Sequence, residues 1–269
     1  MKIISDKNKL EKIVHKEKNL GFVPTMGGIH NGHIHLIKRS INESDRTIVS
    51  IFINKPQFNK KSDYKKYPRV LNKDISKLKK LRIDYLFLPK ENQIYSDGIN
   101  KNIKINSFEK KLCGKYRPGH FKAVVDVIER FIKIIKPKKI YLGKKDMQQL
   151  ILIKNYLKKK YMKTKVISCK TIREKNGIAL SSRNYLLSFK ERMIASKIIK
   201  LLLKKKSIII KNKLSLVSVK KIIYKLGANK IDYLEILDIN KAIKPHRKKK
   251  KYKIFIAYYL GSTRLIDNI

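Results

Sequence analysis

Five short clusters combine residue types able to handle phosphate and carboxylate groups. The first is PTMGGIHNGH at 24–33, where an apolar stretch meets glycines and two histidines stand three apart. Gly27, Gly28 and Gly32 lack a Cβ and let backbone approach a ligand closely. A helical period begins here, and a helix start offers free N–H groups and a positive dipole end, both suited to phosphate. His30 and His33 can donate hydrogen bonds to phosphate oxygens and stabilise charge as it develops. The bland alternative is a pair of capping or surface histidines. No metal site is expected, because no third acidic or Cys ligand stands at zincin spacing.

The second cluster, SIFINKPQF at 50–58, places Asn54, Gln57 and Phe58 just past a β-branched run. In open α/β sheets ligands bind at that edge, and an amide can serve both a carboxylate and a hydroxyl. The third, YRPGHF at 116–121, is a turn into a helix whose Arg117 can offer a planar cation. In the fourth, YLGKKDMQQL at 141–150, Gly143 ends a strand and Lys145 and Asp146 open a helix. A lysine there can neutralise phosphate and an aspartate can accept from ribose hydroxyls. Gln149 falls on the same helical side as Asp146. The plain alternative is an Asp N-cap beside a surface lysine. The fifth, GIALSSRNYLL at 177–187, sets Ser181, Ser182 and Arg183 between apolar flanks, as in a loop closing over phosphates. No P-loop is present, and no Ser/His/Asp triad can be argued from spacing.

These clusters need a scaffold, and the pattern supplies one. Strands are predicted at 20–26, 47–53, 84–89, 138–143 and 163–169, with helices at 33–44, 72–81, 119–135 and 146–160 between them. Strands alternating with helices imply βαβ units and a parallel, Rossmann-like sheet. The rhythm changes near 171–172. Helices at 188–206 and 215–226 precede strands at 231–238 and 251–260. A smaller α+β domain with an antiparallel sheet is expected over 172–269, after a nucleotide-binding domain over 1–171. The Lys-rich stretch 244–251 reads as an exposed hairpin connection.

Composition gives two readings. The chain carries 67 Lys+Arg against 20 Asp+Glu over 269 residues, a formal charge of +47. That is the footprint of a nucleic-acid binder. Yet the excess is mostly Lys, spread end to end beside abundant Ile and Asn, and Trp is absent. Lys, Ile and Asn share A/T-rich codons, so genomic bias raises all three together. A dedicated binder would concentrate charge, favour Arg and interleave aromatics. No run of ~18 apolar residues suggests a membrane span, and the first residues do not read as a secretory signal. Cys113 and Cys169 lie far apart, which fits a reducing cytoplasm rather than a disulfide framework.

The clusters together resemble the pantothenate synthetase (pantoate–β-alanine ligase) family of the class I nucleotidyltransferase superfamily. PTMGGIHNGH, SIFINKPQF, YPRVLNKD, LCGKYRPGHF, YLGKKDMQQL, TIREKNGIALSSRN and TRLIDN occur in that order over nearly the whole chain. The resemblance implies ATP-dependent joining of (R)-pantoate and β-alanine through pantoyl adenylate, with Mg²⁺ accompanying ATP, in a homodimer. It implies ATP binding by Met26, Gly27, Gly28, Ile29, His30, Asn31, Gly32 and His33, with His33 as proton donor. Gly143, Lys144, Lys145, Asp146, Ile172, Leu180, Ser181, Ser182 and Arg183 would complete the ATP site. His30, Lys145 and Arg183 would join His33 in catalysis. Gln57 and Gln149 would hold pantoate, and Gln57 would also meet β-alanine. Three places depart from the family pattern: Asn54-Lys55-Pro56 shifts a proline by one, Asn72-Lys73-Asp74 thins an acidic cluster, and Gly28-Ile29 stands where a larger residue or Leu is common. Two other readings remain: a different nucleotidyltransferase, and a basic nucleic-acid-binding protein that would explain the charge but not the ordered clusters.

Overall fold

Thr47–Ser50 and Leu20–Val23 are buried runs of largely β-branched and apolar residues. Strands enclosed on both faces require helices on both sides of their sheet. A computed structural model, describing residues 1–242 and 250–269, has that arrangement. In chain order come β1 (Lys2–Ile4), α1 (Lys7–Val14), β2 (Leu20–Thr25), α2 (Asn31–Glu43), β3 (Arg46–Ile51), α3 (Lys61–Lys66), α4 (Leu71–Lys80) and β4 (Tyr85–Phe87). Then follow α5 (Glu91–Ile94), α6 (Cys113–Tyr116), α7 (His120–Ile135), β5 (Lys139–Gly143), α8 (Met147–Lys160) and β6 (Lys165–Cys169). The last elements are α9 (Phe189–Ile210), α10 (Leu216–Lys225), β7 (Lys230–Asp238), α11 (Ile239–Ala242), β8 (Tyr252–Leu260) and β9 (Thr263–Asn268).

Six strands form one sheet in the order β1-β4-β3-β2-β5-β6. Every neighbouring pair is parallel. The fold is therefore the expected Rossmann-like α/β sheet. Gly119, left-handed at φ 76°, turns the chain into α7, and Lys136 at φ 48° ends it just before Pro137.

The second sheet, β7-β8-β9, is antiparallel. Side chains alternate across a strand, and β8 uses both faces. Ile254, Ile256 and Tyr258 pack with Ile198, Leu202 and Ile223 of α9 and α10. Phe255 and Ala257 belong instead to the large core built around α7 and α8. The antiparallel sheet thus has its own helical layer on one side and shares the parallel sheet's core on the other.

Several details differ from the sequence expectations, among them the unexpected strand β9 and the short helices α3, α5 and α6. The sequence pattern marks no element before residue 20, where β1 and α1 lie; a three-residue edge strand with Ile3 half exposed gives no period to read. The strand predicted at 47–53 leaves the ladder after Ile51. The helix predicted to end at 206 continues to Ile210. Of the Lys-rich stretch 244–251, only Lys250 and Lys251 lie within the described residues, and both are exposed.

Candidate active site

The parallel sheet reverses its strand order between β2 and β5. In open α/β sheets, ligands bind outside the carboxyl ends of strands at such a switch point. A cleft of about 620 Å³ lies there, walled by the loops after β2, β3 and β5, the start of α7, and segments near 172, 180–184 and 262–268.

Beyond β2, Thr25 Oγ1 donates to the Ser50 carbonyl (2.7 Å) and accepts the Gly27 N–H (3.2 Å). Gly27 (φ 83°) and Gly28 (φ 64°) are left-handed, which glycine adopts without strain. A Cβ on Gly28 would sit 3.1 Å from the Ser182 Cβ. The N–H groups of Gly28 and Ile29 donate to Asp74 Oδ2 (2.8 Å) and Oδ1 (2.7 Å). His30 caps α2: its Nδ1 accepts from Gly32 N–H (3.1 Å) and His33 N–H (3.4 Å). His33 Nδ1 in turn accepts from His30 N–H (3.4 Å), and the rings stack at 4.0 Å.

Because each Nδ1 is an acceptor, each neutral ring carries its proton on Nε2. Burial, with the charge of Lys145 next, pushes His30 down to about 4. Burial also holds His33 well below the ordinary imidazole value, with His30, Lys145 and Lys77 adding to the effect. Both rings are uncharged at neutral pH, each with one N–H donor left. The expectation of free backbone N–H groups at this turn needs correction. Those of Gly27, Gly28, Ile29, His30, Gly32 and His33 are all engaged within the turn or by Asp74. To an anion this turn leaves the Asn31 N–H and side-chain donors. Met26, His30, Gly32 and His33 line the cleft, whereas Gly27, Gly28, Ile29 and Asn31 are not part of its lining.

Beyond β5, Lys144–Asp146 form a tight turn before α8. Asp146 sits at the N-cap position, yet its side chain makes no capping hydrogen bond. The plain N-cap alternative therefore fails, and the carboxylate stays 45% exposed, 3.7 Å from Lys145 Nζ. Gly143, Lys145 and Asp146 line the cleft, whereas Lys144 does not. The Asn268 side chain donates to the carbonyls of Lys144 (2.9 Å) and Lys145 (2.7 Å). Two successive glutamines then diverge. Gln148 is buried, donating to Phe108 and Lys111 carbonyls and accepting from Cys113 N–H. Gln149 lines the cleft, and its amide makes no hydrogen bond with the described residues.

Gln57 ends a turn after β3. Its Nε2 lies 2.9 Å from Met26 Sδ, and its Oε1 accepts from Asn54 (3.2 Å). Its carbonyl accepts from Arg117 (3.1 Å) and from His120 Nδ1 (2.8 Å), while Arg117 also donates to His120 Nε2 (3.1 Å). His120 is thus neutral, its value pushed well down by burial and by Arg117. Burial and neighbouring Arg183 lower Arg117 to about 10. Arg117 holds the Gln57 loop as well as facing the cleft. Asn54 also lines the cleft, but its amide is engaged with Ala123, Tyr95 and Gln57.

From the other side, Ile172, Leu180, Ser181, Ser182 and Arg183 all reach the cleft. Ser181 Oγ accepts the Arg183 N–H (3.2 Å), Ser182 Oγ lies 3.3 Å from the Tyr67 hydroxyl, and Arg183 pairs with Asp63. The sequence reading gave no site role to Asp63, Tyr67, Asp74 or Asn268, although the last three fall in stretches that carry the family resemblance. No local spacing marks them; they matter through partners far away in sequence.

A parallel sheet whose switch-point cleft gathers lysine, arginine and neutral imidazole donors defines a nucleotide-binding α/β enzyme. The comparisons narrow this class. The family model for pantoate-beta-alanine ligase matches residues 2–269, and the chain belongs to that family. It is 42% identical to a pantothenate synthetase of a Sulfurihydrogenibium species over 94% of this chain and 92% of that protein. Identity to the pantothenate synthetase of Thermodesulfovibrio yellowstonii is 39%, with the same coverage. Among solved structures, the Francisella tularensis pantoate-beta-alanine ligase complexed with beta-gamma ATP and beta-alanine superposes with a TM-score of 0.88 at 39% identity, covering 100% of this chain and 97% of that one. Pantothenate synthetase from Thermus thermophilus gives 0.88 at 29% identity, covering 100% and 99%.

Proposed function

We propose that this chain condenses (R)-pantoate with β-alanine to pantothenate, using ATP and releasing AMP and pyrophosphate. The family match over residues 2–269 carries this reading. The pantoate carboxylate attacks the α-phosphorus, giving pantoyl adenylate; the β-alanine amine then attacks the acyl carbon and AMP departs. Both steps need alignment and charge stabilisation more than a protein nucleophile.

The geometry supports a division of roles. The Nε2–H groups of His30 and His33 donate to the phosphates, with His33 nearest the role of proton donor. Lys145 and Arg183 offset phosphate charge, and Ser181 and Ser182 with Leu180 and Ile172 close the nucleotide pocket. Asp146 takes ribose hydroxyls. Gln149 and Gln57 hold pantoate, and Gln57 meets β-alanine. Gly27, Gly28, Ile29, Asn31 and Lys144 serve the ATP site as parts of the two loops that carry these side chains, although they do not line the cleft themselves. Mg²⁺ would arrive on the nucleotide. Among the described residues no three His, Cys, Asp or Glu side chains converge on a metal position, and both oxygens of Asp74 are occupied by N–H groups.

The division at 171–172 is retained as a proposal: the parallel sheet ends at Cys169 and the antiparallel one begins at Lys230. Residues 172–184 then act as the closing part of the site. A homodimer in the cytoplasm is expected, and light scattering would report twice 31.6 kDa. Among the described residues no helix is long and apolar enough to cross a membrane. DNA binding should be weak, nonspecific and lost steeply with salt.

The direct test incubates pure protein with ATP, Mg²⁺, pantoate and β-alanine. AMP release that requires both acids is expected. Conversion of ATP to ADP would place the enzyme in another reaction class.

A further inference from the structure

We propose that Asp74 and Lys77 of α4 are positioning residues for this reaction, holding the turn Gly27–His30 so that the two imidazoles meet the nucleotide already set. The inference rests on the ligase reading above. Asp74 lies in the first turn of α4 and is 1% exposed. Its two oxygens accept from Gly28 and Ile29, 46 and 45 residues away in sequence. One helical turn on, Lys77 Nζ donates to the Ile29 carbonyl (2.6 Å). That carbonyl shares a peptide unit with the His30 N–H, which donates to His33 Nδ1. The peptide leading into the histidine pair is therefore fixed at both ends, by α4 and by the pair itself.

The chemistry explains the residue types. A turn through two left-handed glycines is unstrained but inherently loose, because glycine has the most backbone freedom to lose. Donors contribute fully to transition-state stabilisation only when held beforehand. Two N–H groups pointing the same way need two acceptor oxygens. A carboxylate supplies both, whereas an amide would set its NH₂ against one N–H. Gly27 is part of the fit, since a Cβ there would come 3.1 Å from Asp74 Oδ2. The stacked rings then owe their enclosure, and their depressed basicity, to a turn that α4 keeps closed.

The test compares wild type with Asp74→Asn and Lys77→Met. Pantoyl-adenylate formation is measured at saturating ATP, Mg²⁺ and pantoate, and the His30 and His33 rings are titrated by NMR. In Asp74→Asn the rate should fall on the order of tenfold or more, with the pantoate KM within about twofold of wild type. The ring titrations should rise towards the ordinary value of ~6.5. Lys77→Met should slow the reaction in the same sense by less; its ring titrations are not a readout of positioning, because losing the Lys77 charge raises both on its own. A folded Asp74→Asn with a wild-type rate overturns the proposal, as does a slowed one whose rings titrate unchanged. Recovery of the rate by excess Mg²⁺ would overturn it too, marking Asp74 as a metal ligand. If Asp74→Asn does not fold, Lys77→Met decides alone, and an unchanged rate rejects the idea. The wild-type reaction, run alongside, tests the ligase reading separately.

Discussion

Arg183 Nη2 lies 2.9 Å from Asp63 Oδ2, joining the loop 180–184 to α3 at the edge of the cleft. The two side chains are 27% and 37% exposed. A pair this open contributes at most ~1 kcal/mol and weakens with salt. It is a light latch, and a phosphate can compete with the carboxylate for the guanidinium. Asp63→Asn should therefore lower the ATP KM about two- to fivefold, with little change in Tm, by removing the competitor. Arg183→Ala should raise the ATP KM and lower kcat. Steady-state kinetics decide, and an unchanged ATP KM in both variants would remove Arg183 from the phosphate site.

The neutral histidines tie stability to pH. His30, His33 and His120 all have values below the ordinary ~6.5. Between about 4 and ~6.5 the unfolded chain binds more protons at these positions than the folded one, so stability rises with pH there. Calorimetry should show Tm climbing from pH 4.5 to 6.5, and His30→Gln should flatten the slope. His33→Ala should cut adenylate formation on the order of 100-fold. A near-normal rate would sink the role given to that ring.

Lys145 presses on the same rings. Its charge lowers both histidines, so Lys145→Met should raise the His30 midpoint above about 4. The same substitution should slow adenylation on the order of 100-fold through loss of phosphate neutralisation. NMR titration and single-turnover kinetics read the two effects independently.

Adjacent glutamines should part company on mutation. Gln148→Ala leaves two part-buried carbonyls and the buried Cys113 N–H without a side-chain partner, and should cost about 1–3 kcal/mol of stability. Gln149→Ala should leave denaturant midpoints alone and raise the pantoate KM. Gln57→Ala should impair both acids, because it faces the cleft from the Met26 side. Unchanged pantoate kinetics in both cleft variants would count against these assignments.

Local chemistry was readable wherever a strand, a glycine and a helix start fall together. The HNGH and GKKD loops were placed from pattern alone because β2, α2, β5 and α8 are continuous, periodic elements. What stayed hidden depends on distant partners. Nothing around Asp74 announces that its carboxylate ties down Gly28, and Arg117 reads as a free cation until His120 and the Gln57 carbonyl fold against it. Asp146 could be read from sequence either as a ribose acceptor or as a helix cap, and only three-dimensional geometry shows that its side chain caps nothing.

The Asn268 clamp also imposes an order in time. It grips the carbonyl of Lys145 from 123 residues further along the chain. At ~5–20 residues per second, a ribosome needs about 6–25 s to travel that far. A nascent polypeptide could pair its parallel strands during that interval, but the nucleotide-facing loop stays unfastened until β9 has emerged. The loop that carries Lys145 is thus fastened only after every strand of the parallel sheet has been synthesised.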